Sequence, residues 1–235
     1  FLAKQFMLFK NAFFHATNET EAETIRAVFG VKASIAIASN FPDKKQLTDW
    51  LQKEKNISTL KLVCVARIAP EKNIKYALSI LKEVKATIAF DIYGPTYDEA
   101  YYKECQTIIN EMPSNISVTL KGSIDHSMIA DTISKYDFLF LPTRGENFGH
   151  VILQSLVVGV PVIISDKTIW RNLKAANAGW DIDLNHSKEF VAVLEHCAKM
   201  PNEEYALFSK GAFDFANSYV NDKSHLLQNK QLFDK

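Results

Sequence analysis

The chain has 235 residues, with 27 Lys and Arg balanced by 27 Asp and Glu. That length fits one large domain or one domain plus a fragment, and the neutral balance excludes a field that would draw nucleic acid or an acidic membrane surface. The three cysteines, Cys64, Cys105 and Cys197, are odd in number and widely spaced. They read as buried free thiols, which suits a reducing cytoplasm. No apolar run is long enough to cross a membrane. No signal peptide is visible, and the first residue is Phe1, not Met, which suggests a piece of a longer protein.

In chain order, residues 1–38 read as a short helix, a strand at 12–16, a capped helix and a second strand at 34–38. Thr20 with Glu23 fits a capping box for that second helix. The segment is too short to form its own core. A polar, Lys-rich connector covers 40–58. A regular alternation follows. Apolar, β-branched runs at 61–68, 87–93, 116–120, 137–141, 160–165 and, more weakly, 180–184 are separated by helix-like segments at 73–84, 97–112, 126–136 and 149–158. Strands alternating with helices imply right-handed crossovers and a parallel sheet. The near-continuous apolar strands predict burial on both faces. The fold class is therefore α/β, a Rossmann-like doubly wound parallel sheet. Helices at 187–200 and 203–219 are split by Pro201, and the polar end, 221–235, reads as helical or frayed.

In an open α/β sheet, ligands bind at the carboxyl ends of the strands, and the unusual residues cluster there. The stretch PTRGENFGHVILQSLVVGVP at 142–161 is strand, glycine-bearing turn, helix, strand. The helix start offers the amides of Asn147, Phe148, Gly149 and His150, and the positive end of its dipole suits a phosphate. Glu146 just before it would repel phosphate, so it suits the hydroxyls of a sugar attached to that phosphate. Simpler readings stand beside this one: a Gly-opened helix with a capping Asn, and a surface or packing role for His150. Gln154, eight residues after Glu146, either reaches toward a ligand or faces solvent. Arg67 and Lys72 flank the turn after the first main strand. They suit a diphosphate leaving group, or are a pair of surface charges around Pro70. Gly94 and Gly122-Ser123 end the next two strands, where glycine permits close approach of a base or ribose, though turn geometry explains most such glycines. Asp166 reads as a turn cap and Trp170 as a packing residue. There is no metal-ligand spacing, no Asp-x-Asp pair, no nucleophile elbow and no GxxxxGK[ST] loop.

Taken together, these motifs resemble the donor-binding half of retaining GT-B glycosyltransferases, the group that includes glycogen synthases and bacterial mannosyltransferases. That family's signature is a Glu, seven residues and a second Glu within P-S-x-x-E-G-F-G-x-x-x-x-E-A-x-A-x-G-x-P-V-I. Here it reads PTRGENFGHVILQSLVVGVPVI. The family's G-R-x-x-x-x-K turn appears as ARIAPEK and its F-x-G-x-V turn as LKGSI. The resemblance implies that Arg67 and Lys72 bind the donor diphosphate, that Glu146 contacts the transferred sugar, and that the 147–150 backbone holds sugar and phosphate. It places Gly122 and Ser123 beside the base. Gln154 departs from the family's second Glu, which holds ribose hydroxyls, and Asn147 departs from the usual Gly. Gln154 keeps hydrogen-bonding capacity without charge.

The resemblance also implies a domain plan: the tail of an N-terminal acceptor domain at 1–40, a connector at 41–58, a Rossmann-like donor domain at 59–200 and a crossover-helix region at 201–235. The expected activity is transfer of a hexosyl group with retention, in bacterial cell-surface polysaccharide synthesis. The expected donor is a nucleotide-diphosphate sugar, with no metal or other cofactor. The acceptor, a saccharide or lipid-linked saccharide, would be bound by an N-terminal half outside this chain, so the chain by itself is expected to transfer poorly. The expected location is the cytoplasm, with peripheral contact at the inner membrane face through that other half. The alternative is a non-catalytic nucleotide-sugar-binding or scaffold module of the same descent.

Overall fold

The computed structural model describes Phe9, residues 11–40, Trp50, residues 52–55 and residues 58–233. The expected first short helix and most of the expected connector lie outside these residues. The chain forms two compact units, Phe1–Lys44 with Val220–Lys235, and Lys45–Tyr219. The second unit extends past the 59–200 expected for the donor domain.

In the smaller unit, β1 (Phe13–Ala16) pairs in parallel with β2 (Ser34–Ile37), and α1 (Glu19–Phe29) connects them. The capping box is two residues earlier than expected. Asn18 is the N-cap and its side chain accepts from the Glu21 amide at 2.9 Å, while the Glu21 carboxylate accepts from the Thr17 amide and hydroxyl. Asn is at least as good a cap as Thr, and this register brings the Glu carboxylate back over the free amide that precedes the helix. These bonds hold the Glu21 carboxyl below its ordinary range, the Thr17 hydroxyl bond first. The rings of Phe9, Phe14 and Phe29 pack on one another.

The larger unit holds a six-stranded parallel sheet. Its strands are β3 (Leu60–Val65), β4 (Ile88–Tyr93), β5 (Ile116–Gly122), β6 (Phe138–Leu141), β7 (Val162–Ser165) and β8 (Gly179–Ile182). The helices between them are α2 (Ile74–Glu83), α3 (Glu99–Asn110), α4 (Ile129–Ile133) and α5 (His150–Val157), followed by α6 (Ser187–Lys199) and α7 (Asn202–Asn221). The helix α8 (Lys223–Gln231) falls in the smaller unit. All the expected strands and main helices are present within a few residues. The 126–136 helix is shorter than expected, a 3-10 turn at His126–Met128 running into the five-residue α4.

The strands lie in the order β5-β4-β3-β6-β7-β8, the doubly wound order of a Rossmann sheet. β6 and β7 are buried at every position, as their unbroken apolar runs require. β4 and β5 depart from the expectation of burial on both faces. Ile88, Phe90 and Ile92 are buried, but Ala89, Asp91 and Tyr93 are half-buried, and Ser117, Thr119 and Lys121 on β5 are exposed. β5 is the edge strand of the sheet, where the half-open faces lie. The core is aromatic where β6 runs through it: Phe138 meets Trp180 and Tyr205, and Phe140 meets Phe90 and Phe190. Residues of α7 belong to this core, with Tyr205, Ala212 and Ala216 fully buried.

Candidate functional site

The order of strands reverses between β3 and β6, which leave the sheet in adjacent positions while their helices pack on opposite faces. Two turns flank the crevice at that switch point: 66–73 after β3 and 142–149 after β6. These are the turns that carry Arg67, Lys72 and Glu146.

The first turn is positioned from its neighbour. The amide of Ile68 donates to Pro95 O at 3.0 Å, and Ile68 bridges Thr96 in the loop after β4. Gly94 permits this. Its φ is +153°, and a Cβ there would fall 1.9 Å from Ala66 O, so only glycine lets the two loops lie side by side. Pro70 starts a 3-10 turn, and Asn73 then enters α2 in the left-handed region at φ 60°, a conformation Asn tolerates.

Asn73 also ties the two turns together. Its amide donates to Pro142 O at 3.0 Å, and its oxygen accepts from Arg144 Nε at 3.3 Å. Glu71 O accepts from the Arg144 amide and from Thr143 Oγ1. From the other side, Ser165 Oγ donates to Thr143 O, the Glu146 amide donates to Lys167 O, and Trp170 Nε1 donates to Phe148 O at 2.6 Å. The Glu146 loop is thus held by both neighbouring loops.

The structure brings Lys72 and Glu146 together: Nζ lies 2.5 Å from Oε1, with the side chains only 15% and 14% exposed. Both sit at the end of adjacent strands, so the pair spans the switch point. Arg67 is set apart from Glu146. It pairs with Glu71 at 2.9 Å, half exposed, and its guanidinium lies 5.9 Å from the centre of the Tyr97 ring. Every cation expected to meet phosphate therefore has a carboxylate partner.

Gly149 is the N-cap of α5, in the left-handed region at φ 77°, and no side chain caps the helix. The helix is opened by glycine, as the simpler reading had it, but without a capping Asn, and the missing side chain of Gly149 leaves room for Ile152 and Trp170 close by. Among the described residues, the amides of Phe148, Gly149, His150 and Val151 have no acceptor. Such amides at a helix start suit an anion. The Phe148 side chain is buried against Trp170 and Tyr219, so only its backbone faces the crevice loop. His150 is exposed, with its ring 4.6 Å from that of Phe148. Gln154 is buried, and its amide makes no hydrogen bond to the described residues. Gly122, at φ 74°, ends β5 and accepts the Gly94 amide at 2.8 Å, and Ser123 follows it in solvent. Asp166 is no simple turn cap: it pairs with Lys167 at 2.9 Å, while Trp170 is buried as expected.

Sequence reasoning missed Glu71, which pairs with Arg67, and Asn73, Thr143 and Ser165, which build the loops through hydrogen bonds. Asn73 had one signal, an Asn between a turn and an apolar-periodic helix. The three thiols are free and buried. Burial pushes Cys64 up to about 12 and Cys105 up to about 11, and Cys197 well above the ordinary range. Among the described residues, no group of three or more His, Cys, Asp and Glu could hold a metal, and no helix is long and apolar enough to cross a membrane.

Fold and site together define a Rossmann-like domain of the GT-B kind, with Lys72 and Glu146 paired between the two turns at its switch point. The model of the family "Glycosyl transferases group 1" matches residues 48–213, and the chain belongs to that family. A Klebsiella pneumoniae relative, the "Uncharacterized 41.2 kDa protein in cps region", is 25% identical over 75% of this chain and 48% of its own length. The GtfA subunit of the Streptococcus pneumoniae UDP-N-acetylglucosamine–peptide N-acetylglucosaminyltransferase is 28% identical over 50% of this chain and 22% of its own length. The chain thus spans less than half of either relative. Among solved structures, Staphylococcus aureus TarM, in complex with UDP, superposes with TM-score 0.75 at 16% identity, covering 94% of this chain and 43% of TarM. Sucrose-phosphate synthase from Thermosynechococcus elongatus gives 0.76 at 16% identity, covering 94% of this chain and 57% of that enzyme. Anabaena HepE, with UDP and glucose, gives 0.71 at 17% identity, covering 93% of this chain and 61% of HepE.

Proposed function

We propose that this chain is the donor-binding part of a glycosyltransferase that moves a hexosyl group from a nucleoside-diphosphate sugar to an acceptor, with retention at the anomeric carbon. The observation that carries this reading is the Lys72–Glu146 pair between the two turns at the switch point, with the free amides at the start of α5 in the same loop as Glu146. The diphosphate would lie against Arg67, Lys72 and those amides, and the sugar against Glu146. The bond between the anomeric carbon and the leaving phosphate oxygen breaks, and its electron pair leaves with the phosphate. Arg67, Lys72 and the helix dipole stabilise that growing charge. The acceptor oxygen bonds to the anomeric carbon on the same face, and its proton passes to the leaving phosphate. Glu146 orients the sugar and favours its developing positive charge.

The family and the UDP-bound relatives support a nucleotide-sugar donor, and the cps-region relative supports a role in bacterial cell-surface polysaccharide synthesis. In this reading the acceptor, a saccharide or lipid-linked saccharide, is bound by an N-terminal half to which residues 1–40 belong. That half would also carry any contact with the cytoplasmic membrane face. The chain alone then binds donor and transfers sugar poorly, with no metal. A second reading, a non-catalytic nucleotide-sugar-binding module, is favoured by one residue, Gln154 in place of the second Glu.

The test is calorimetric titration of the chain with UDP, GDP and ADP, in wild type and in Arg67→Ala. Saturable binding of one nucleotide, weakened about tenfold by losing a charged phosphate contact, is the expected result. No binding of any of the three overturns the donor-site reading. Binding without transfer, once the N-terminal half is supplied, favours the second reading.

A further inference from the structure

Tyr97 lies in the loop between β4 and α3 and is 73% exposed. An aromatic ring left open to water is common singly, but this one is placed. Its loop is fastened to the Arg67 turn through the Ile68–Thr96 bridge and the bond from the Ile68 amide to Pro95 O. Asp98, the next residue, is locked as the N-cap of α3, accepting from the Tyr101 amide at 2.9 Å. The ring stands 5.9 Å from the Arg67 guanidinium.

The sheet supplies a ruler. Along its carboxyl edge, the ends of β6, β3, β4 and β5 follow one another at about 4.8 Å per strand. Glu146 follows β6, and Arg67 and Lys72 follow β3. Tyr97 follows β4, and Gly122 with Ser123 follows β5. Three strand spacings are about 14 Å, so the four strand ends can serve one ligand with several chemically distinct parts. If the sugar lies at Glu146 and the diphosphate at β3, the nucleoside must run toward β4 and β5. Tyr97 follows β4, the strand next to β3 in that direction, and its exposed ring lies beside the Arg67 guanidinium.

We propose that Tyr97 is the stacking platform for the nucleobase of the donor, a residue that sets nucleotide affinity. This rests on the donor-site reading above. Stacking on a tyrosine ring is tolerant of base identity, since every base has a π-face, so Tyr97 strengthens binding while the backbone at 122–123 discriminates among bases. The ring also backs the Arg67 guanidinium, and a base on Tyr97 and a phosphate on Arg67 therefore occupy adjoining positions.

The experiment titrates wild type, Tyr97→Ala and Tyr97→Phe with the tightest-binding of UDP, GDP and ADP, and separately with inorganic pyrophosphate. The expected result is nucleotide binding about tenfold weaker in Tyr97→Ala and near wild type in Tyr97→Phe, with pyrophosphate binding alike in all three. Unchanged nucleotide binding in Tyr97→Ala overturns the proposal while leaving the donor site standing. Equal weakening of nucleotide and pyrophosphate also overturns it, because Tyr97 would then act only by supporting Arg67. If wild type binds pyrophosphate but no nucleotide, the base platform is absent. If wild type binds neither, the donor-site reading fails and this inference fails with it.

Discussion

The contact between Lys72 and Glu146 makes the sharpest prediction, because it is an ion pair set across the crevice in which phosphate and sugar would meet. The two side chains are about six-sevenths covered and 2.5 Å apart. Two unit charges about 4 Å apart at an effective dielectric of about 20 attract by about 4 kcal/mol, and desolvation removes part of that. Exposed pairs are worth about 0.2–1 kcal/mol, and breaking a buried pair costs about 3–5 kcal/mol. This pair lies between, so a coupling of about 2 kcal/mol is expected. The assay is a double-mutant cycle by urea denaturation with Lys72→Met, Glu146→Gln and the double variant. Each single change should destabilise by about 2 kcal/mol, and the double variant by about 2 kcal/mol less than their sum. Glu146→Gln should also bind nucleoside diphosphate several-fold more tightly, because Lys72 no longer has a competing carboxylate. A coupling below about 0.3 kcal/mol would refute the reasoning, since it would mean solvent already screens the pair.

Three further outcomes follow from the same geometry. Glu71→Gln should raise nucleoside-diphosphate affinity by about two- to fivefold in calorimetry, because it releases Arg67 from a half-exposed pair worth at most about 1 kcal/mol. Gly94→Ala should destabilise by about 3 kcal/mol or more in thermal or urea melts, because its Cβ would collide with Ala66 O and its φ is one that L side chains avoid. The fully buried Cys64 has its thiol raised from 9.0 to about 12 by desolvation. A raised folded value means its contribution is complete below pH 9 and is lost as pH climbs toward 12. Cys64→Ala should therefore lessen the fall of stability with pH by about 1.4 kcal/mol per pH unit across that window, measured as the difference between the two urea-stability profiles. A parallel pair of profiles would show that Cys64 already ionises in the folded chain.

Much of this molecule is legible in its sequence. Alternating apolar runs and amphipathic segments located every strand of the large sheet and every crossover helix, because the hydrophobic period reports local burial directly. The turn chemistry of Gly149, Pro70 and Gly94 was equally local. Where local signals competed, the reading slipped. Thr20–Glu23 and Asn18–Glu21 both satisfy the capping pattern, and the structure uses the earlier one. The half-open faces of β4 and β5 are not legible in the sequence, because burial depends on the strand order that puts β5 at the edge.

Residue types and spacing thus determined the α/β class, the parallel sheet and the set of candidate residues at strand ends. Tertiary structure alone decided which of those ends are neighbours. Arg67 and Lys72 are five residues apart, yet one pairs with Glu71 and the other with Glu146, seventy-four residues on. Nothing in the sequence names that partner, because adjacency across a sheet is set by the order in which the strands assemble. Hydrogen bonding between β3 and β6 at the switch point brings Lys72 and Glu146 to one crevice, and the same order sets Tyr97 one strand away from Arg67's turn.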